Sequence, residues 1–173
     1  LDLECVRGER RLFAGVDFEL AAGQLLHVQG SNGCGKTSLL RIVCGLSPAA
    51  AGEVRWRGEP IARLGDEYRR ELFYLGHHNA IKDELTPLEN LLVSAQLSDE
   101  SLDEGAALDA LEKVGLAGRT ELACRFLSQG QKRRVALSRL CFDARALWAL
   151  DEPYVALDAA AIGAITIETA AVF

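Results

Sequence analysis

The sequence lacks several features that assign a chain to a class at first sight. Of its 173 residues, 19 are Lys or Arg and 25 are Asp or Glu, which gives a net charge of −6. Because basic residues are not in excess, non-specific nucleic-acid binding is not indicated. The sequence has no run of about 18 apolar residues and does not open with a secretory signal. We therefore expect a chain without a membrane span of its own, and docking onto a membrane partner stays open.

Cysteines are few, odd in number and scattered, at Cys5, Cys34, Cys44, Cys124 and Cys141. They lack the spacing of metal ligands, so we expect free thiols in a reducing cytosol. The sequence also contains no internal repeat and no low-complexity segment. Its apolar content of 49% and charged content of 25% are those of an ordinary globular protein, long enough for one domain with a sizeable core.

A phosphate-binding pattern, Gly-x4-Gly-Lys-Thr, is the most informative feature that the sequence does contain. Its members are Gly30, Ser31, Asn32, Gly33, Cys34, Gly35, Lys36 and Thr37. An apolar run precedes the loop and a helical pattern follows it, which is the context in which such a loop works. Glycines let backbone N–H groups turn toward phosphates, and the next helix offers unpaired amides. Lys36 is predicted to contact the outer phosphates and the Thr37 hydroxyl to ligate Mg²⁺. The alternative is a glycine-rich turn that binds no ligand.

A second candidate element is the pair of carboxylates at Asp151 and Glu152. The continuous apolar run 146–150 predicts a strand of a parallel sheet with both faces covered. Its carboxyl end is where open α/β sheets bind ligands. Asp151 is predicted to organise Mg²⁺, and Glu152 to orient or deprotonate the water that attacks the γ-phosphate. The alternative is a solvated strand end.

A second helix start suited to anions follows Leu127. The segment is Leu127, Ser128, Gln129, Gly130 and Gln131, in which a hydroxyl and a glycine open a helix. The three basic residues 132–134 would by default be no more than a solvated face.

Taken together, these segments resemble the nucleotide-binding subunits of ABC transporters. Residues 30–37 match Walker A, 127–131 the signature (with Gln129 in place of its first glycine), 148–152 Walker B, and 156–158 the D-loop with Asp158. The resemblance implies that two copies pack head to tail with two ATP molecules between them. Ser128, Gln129, Gly130 and Gln131 would then act on the nucleotide of the other copy. Lys36 and Glu152 would be catalytic, and Thr37 and Asp151 would hold Mg²⁺.

A narrower resemblance is to the ATP-binding subunits of the cytochrome c maturation complex, the haem exporter ATPases of Gram-negative bacteria. It rests on residues 30–33, 75–82, 85–90 and 131–140. It implies a translocase on the cytoplasmic face of the inner membrane, with integral membrane subunits of the haem export complex as partners and no nucleic acid. The cargo, haem or a haem-loaded chaperone, stays open. The alternatives are the ATPase of another ABC transporter, a soluble ABC ATPase of DNA repair or translation, and a nucleotide-gated binding module without turnover.

The sequence departs from the family pattern in three ways. It stops before the switch histidine that the family carries beyond the D-loop. His77 and His78 occupy the place of the Q-loop glutamine, either as metal contacts or as ordinary loop residues. The aromatic residue that stacks on adenine is missing, and Arg7, Arg10 or Arg11 is expected to stack instead, with a weak preference for adenine. Apart from these departures, Cys34 lies within the phosphate loop, where it is either a small filler or a site of redox control.

The expected fold is an α/β P-loop NTPase core of the ABC ATPase type, with a parallel sheet, N-terminal antiparallel strands and a helical subdomain at roughly 72–140. We expect a single domain over 1–173 in which the C-terminal part of the fold is missing. Strands are predicted at 1–6, 11–20, 25–29, 53–56, 72–75 and 146–150. Helices are predicted after the phosphate loop to Cys44, from the capping pattern at Thr86, across 102–114, and over 129–142.

Overall fold

The computed structural model of the chain describes residues 2–98 and 100–152, which form two compact units. The first unit contains residues 2–76 and 145–151, and the second contains residues 77–98, 100–144 and 152.

The described strands are β1 (Leu3–Arg7), β2 (Arg10–Val16), β3 (Arg55–Trp56), β4 (Glu59–Pro60), β5 (Leu72–Leu75) and β6 (Leu147–Leu150). The described α-helices are α1 (Lys36–Val43), α2 (Ile61–Leu64), α3 (Asp66–Arg70), α4 (Pro87–Leu97), α5 (Glu104–Lys113) and α6 (Gln129–Ser138). Short 3-10 turns lie at Ala117–Arg119, Cys124–Phe126 and Arg139–Cys141.

In the first unit, β1 and β2 form an antiparallel hairpin, and β5 and β6 pair in parallel. The parallel register places Leu72 opposite Leu147 and Leu75 opposite Leu150. All four residues of β6 are buried, as the continuous apolar run predicts for a covered parallel strand. Helix α1 packs on this pair through Leu40.

In the second unit, α4, α5 and α6 surround a core of their own. Its buried members are Leu88, Leu91, Ala107, Ala110, Leu111, Val114, Leu116, Cys124, Leu127 and Val135. Helix α4 begins as predicted: Thr86 Oγ1 accepts from the Glu89 amide at 3.1 Å, and Glu89 Oε2 accepts from the Thr86 amide at 2.8 Å. This capping box satisfies two amides at the helix start, with Pro87 in the first turn.

One predicted strand was wrong, and a second is shorter than predicted. The strand expected over 11–20 ends at Val16, and residues 25–29 carry no strand in the described part of the chain. The apolar alternation there is real, because Phe18, Leu20, Leu26 and Val28 pack against the first unit's core. Alternation reports which side chains are buried, whereas a strand also needs a backbone partner.

Smaller corrections concern element ends. Strand β1 starts and ends one or two residues later than predicted. Helix α5 starts at Glu104, capped by Asp103, so Leu102 precedes it. The helix predicted over 129–142 stops at Ser138 and continues as a 3-10 turn to Cys141. Such end shifts are normal where capping side chains and tighter turns compete with the α-helix.

Candidate functional site

The phosphate loop leads directly into α1, whose first residue is Lys36. Gly33 and Gly35 have φ of 78° and 110°, in the left-handed region that favours glycine. A Cβ at Gly35 would also lie 3.0 Å from Phe13 Cδ1. Position 35 therefore needs glycine for both its backbone angle and its close approach to β2.

The Lys36 side chain folds back over this loop. Its Nζ donates to the Gly30 carbonyl at 2.8 Å and to the Ser31 carbonyl at 3.2 Å. The ammonium charge is thereby held against the first residues of the loop that leads into α1. A fixed positive charge beside a helix N-terminus favours an anion such as phosphate.

Thr37 and Asp151 come together although they are 114 positions apart. The Thr37 hydroxyl donates to Asp151 Oδ2 at 2.9 Å, and Asp151 is 4% exposed. Asp151 is held at the end of β6 because its amide donates to the Leu75 carbonyl at 2.8 Å. The parallel pair β5–β6 thus carries a buried carboxylate to the first turn of α1.

These two oxygen side chains fit Mg²⁺, which prefers oxygen ligands and takes only one or two from the protein beside phosphate oxygens. In residues 2–98 and 100–152, no group of three or more His, Cys, Asp or Glu side chains is arranged around a metal position.

In the second unit, Ser128 is the N-cap of α6. Its Oγ accepts from the Gln131 amide at 3.2 Å, and Gln131 Oε1 accepts from the Ser128 amide at 2.9 Å. The predicted helix start is therefore a reciprocal capping box. Gln129 and Gly130 form the first turn, so the predicted signature residues lie together at one helix N-terminus.

Glu152 also belongs to the second unit. Its Oε2 lies 3.8 Å from His77 Nδ1, with side-chain exposures of 48% and 75%. The His77 and His78 rings meet edge to face, with centroids 5.6 Å apart. Glu152 has φ of 52°, a left-handed angle that is uncommon outside glycine. His77 therefore contacts the predicted catalytic carboxylate.

The remaining predicted residues are less constrained. Arg7 and Arg10 face each other across the β1–β2 hairpin, and Arg11 Nη1 lies 3.6 Å from Glu4 Oε1. Their stacking on adenine stays a prediction. Asp158 lies outside the described residues.

The sequence reading missed a group of side chains in the second unit. Asn90 forms hydrogen bonds with the loop before α4. Lys132 forms a salt bridge with Asp83, which lies 49 positions earlier in the sequence. In the sequence, Asn90 was marked only by its place four residues after the cap Thr86 and by its membership of the segment 85–90, which contributes to the narrower resemblance. The Asp83–Lys132 pair had no local signal.

Comparisons with known proteins identify the class. The sequence profile of the ABC transporter family matches residues 13–155. In fold, the chain is similar to a putative ABC transporter ATP-binding protein from Pyrococcus furiosus, with a TM-score of 0.84 and 23% identity over 99% of this chain and 86% of that one. The chain belongs to the ABC transporter family as an ATP-binding domain, and the predicted fold class is confirmed.

Similar relatives narrow the family further. The cytochrome c biogenesis ATP-binding export protein CcmA of Dechloromonas aromatica is 66% identical over 93% of this chain and 79% of its own length. The protein of the same name from Nitrosospira multiformis is 52% identical over 94% of this chain and 79% of its own length. These matches confirm the narrower resemblance.

Across the described ranges, none of the helices combines the length and the apolar character needed to cross a bilayer.

Proposed function

We propose that the chain is the ATP-hydrolysing subunit of a complex that exports haem, or releases a haem-loaded chaperone, in cytochrome c biogenesis. The names of its 66% and 52% identical relatives support the process. The observation that carries the chemistry is the Thr37–Asp151 hydrogen bond of 2.9 Å beside Lys36. It joins a phosphate loop to a buried carboxylate, which is the arrangement that nucleotide hydrolysis needs.

Each residue has a role in the proposed reaction. Lys36 and the amides of residues 30–37 bind the β- and γ-phosphates and offset their charge. Thr37 and Asp151 would hold Mg²⁺, which when bound neutralises charge on the phosphate oxygens. Glu152 orients a water and accepts its proton as the water oxygen bonds to the γ-phosphorus. The bond from that phosphorus to the bridging oxygen breaks, and ADP leaves with the electron pair.

The proposed assembly contains two copies of the chain, packed head to tail. Ser128, Gln129, Gly130 and Gln131 of one copy contact the γ-phosphate held by Lys36 of the other. ATP bridges both copies, so association is favourable mainly in its presence. The pair docks on integral membrane subunits at the cytoplasmic face of the inner membrane, without nucleic acid.

The test replaces residues in the full-length protein, expressed with its membrane partners in cells that lack the native gene. Lys36→Ala and Glu152→Gln are expected to abolish holocytochrome c formation and to lower ATPase activity by at least ~10²-fold, because each removes an interaction made with the reacting phosphate. Lys113→Met, at the exposed C-terminal end of α5, is the matched control and should behave as wild type.

Different results would point elsewhere. Wild-type holocytochrome levels with Lys36→Ala would contradict the proposal. ATP binding by the wild-type complex without turnover would favour a nucleotide-gated binding module. ATPase activity that supports transport but leaves cytochrome c maturation unchanged would favour another ABC transporter.

A further inference from the structure

Two charged side chains tie α6 to the loop before α4. Lys132 Nζ donates to Asp83 Oδ1 at 2.6 Å. The Lys132 side chain is 12% exposed and that of Asp83 is 54% exposed. Because most of the lysine is shielded from water, this charge-assisted bond fixes its position better than a fully exposed pair would.

The same loop, residues 79–86, is bonded to the chain on both sides of the signature. Before it, the Cys124 amide donates to the Leu85 carbonyl and the Arg125 amide to the Asp83 carbonyl, each at 2.8 Å. After it, the buried Arg133 donates from Nη1 to Asn79 Oδ1 at 3.2 Å. The loop is therefore hydrogen-bonded both to residues that precede the signature and to a residue that follows it.

Asn90 in turn fixes the shape of this loop. Its Oδ1 accepts from the Lys82 amide at 2.8 Å, and its Nδ2 lies 3.0 Å from the carbonyls of both Lys82 and Thr86. Nδ2 also lies 3.3 Å from Cys124 Sγ. One side chain on the first turn of α4 thus holds the loop and also reaches the segment before the signature.

We propose that Lys132 and Asp83 are positioning residues that set the placement of Ser128. Ser128 lies between two points of attachment to this loop. Before it are the backbone hydrogen bonds donated by residues 124–125, and after it are the side-chain hydrogen bonds donated by Lys132 and Arg133. With both ends held against one loop, the helix start has little freedom to turn or slide. This inference rests on the proposed function, in which Ser128 contacts the nucleotide of a second copy.

The quantity that separates positioning from folding is the association of two copies. When the Lys132–Asp83 pair is broken, the start of α6 has the observed placement for only a fraction of the time, and apparent association weakens by that fraction. We expect about threefold for each signature, consistent with a half-exposed pair. Two signatures act in each dimer, so dimerisation should weaken about tenfold. ATP binding to one copy should not change, because residues 30–37 are untouched.

The experiment uses the full-length protein carrying Glu152→Gln to slow hydrolysis. ATP-driven dimerisation is measured by analytical ultracentrifugation, and ATP affinity is measured at protein concentrations below dimerisation. Lys132→Met and Asp83→Asn are compared with Lys113→Met, which removes an exposed lysine at the end of α5. Thermal unfolding of each variant reports folding, and the exposed Asp83 side chain gives a second route should Lys132→Met not fold. The exchange Asp83→Lys with Lys132→Asp restores an opposite-charge pair.

Weaker dimerisation at unchanged ATP affinity in Lys132→Met or Asp83→Asn, with recovery in the exchanged pair, would support the inference. Unaltered dimerisation in both single variants would overturn it while leaving the proposed function intact. A Glu152→Gln parent that binds ATP and stays monomeric would overturn the proposed assembly, and the inference with it.

Discussion

Alanine at Gly30 is expected to weaken ATP binding, and removal of the Cys34 sulfur is expected to restore it. A Cβ at Gly30 would lie 2.6 Å from Cys34 Sγ, about 1 Å inside ordinary van der Waals contact. The next atom, Cys34 Cβ, would be 3.8 Å away, which is comfortable. The conflict is therefore with a single atom, and either the sulfur or the loop must move.

The size of the effect follows from that conflict. Overpacking a tightly packed core costs about 1–3 kcal/mol, and ~1.4 kcal/mol corresponds to a tenfold change in affinity. Gly30 is exposed and Cys34 is half-buried, so the sulfur has room to rotate and the lower end, about 1 kcal/mol, applies. ATP affinity should therefore drop about fivefold. In Gly30→Ala with Cys34→Ala, affinity should return close to that of Cys34→Ala alone.

The assay is equilibrium ATP binding to the full-length protein, completed as a double-mutant cycle and accompanied by thermal unfolding. Gly35→Ala serves as the control, because its Cβ would meet Phe13 and its φ is 110°; Cys34→Ala should not rescue it. Wild-type affinity in Gly30→Ala would refute the reasoning. So would effects of the two changes that add within ~0.5 kcal/mol, since additivity would mean that the two atoms do not interact.

Two further predictions concern stability. Burial raises the pKa of the Cys44 thiol from 9.0 to about 12. Between these two pH values the thiol is protonated in the folded state and ionised in the unfolded state. The contribution of this group to the free energy of unfolding is therefore fully present below pH 9 and is lost as the pH rises toward 12. Between pH 8 and pH 10 this group should cost about 1.4 kcal/mol, and urea unfolding should show a correspondingly smaller pH dependence in Cys44→Ala; an equal dependence would contradict the assignment. Thr86→Ala removes the cap of α4 and should lower the free energy of unfolding by about 1 kcal/mol. Ser101→Ala, at an exposed loop position, should leave it unchanged. Equal free energies of unfolding in the two variants would mean that the capping box contributes nothing.

Local chemistry made much of the fold predictable. The capping box at Thr86 and Glu89 depends on four consecutive residues, and the glycines of the phosphate loop on eight. The strand β5 was predicted with its observed ends. The parallel pairing of β6 followed from its unbroken apolar character, because only a covered parallel strand tolerates such a run.

The parts that could not be predicted depend on distant partners. Leu26 and Val28 alternate as strand residues do, yet a backbone partner for them is a property of the whole sheet. In the site, the roles of Thr37 and Asp151 were predicted as metal ligands, but their direct bond requires β5 and β6 to be paired first. The Asp83–Lys132 bond joins two residues that each look like ordinary surface charges in the sequence.

The capping of α6 has a consequence for how its serine can be altered. A hydroxyl carries one hydrogen to donate and two lone pairs to accept, and the cap employs the oxygen only as an acceptor. Ser128 can thus begin its helix and still offer its hydrogen to a phosphate oxygen. Aspartate would serve the helix equally well but would bring a negative charge and nothing to donate. Aspartate at position 128 would therefore preserve the start of α6 while removing the hydrogen bond to phosphate.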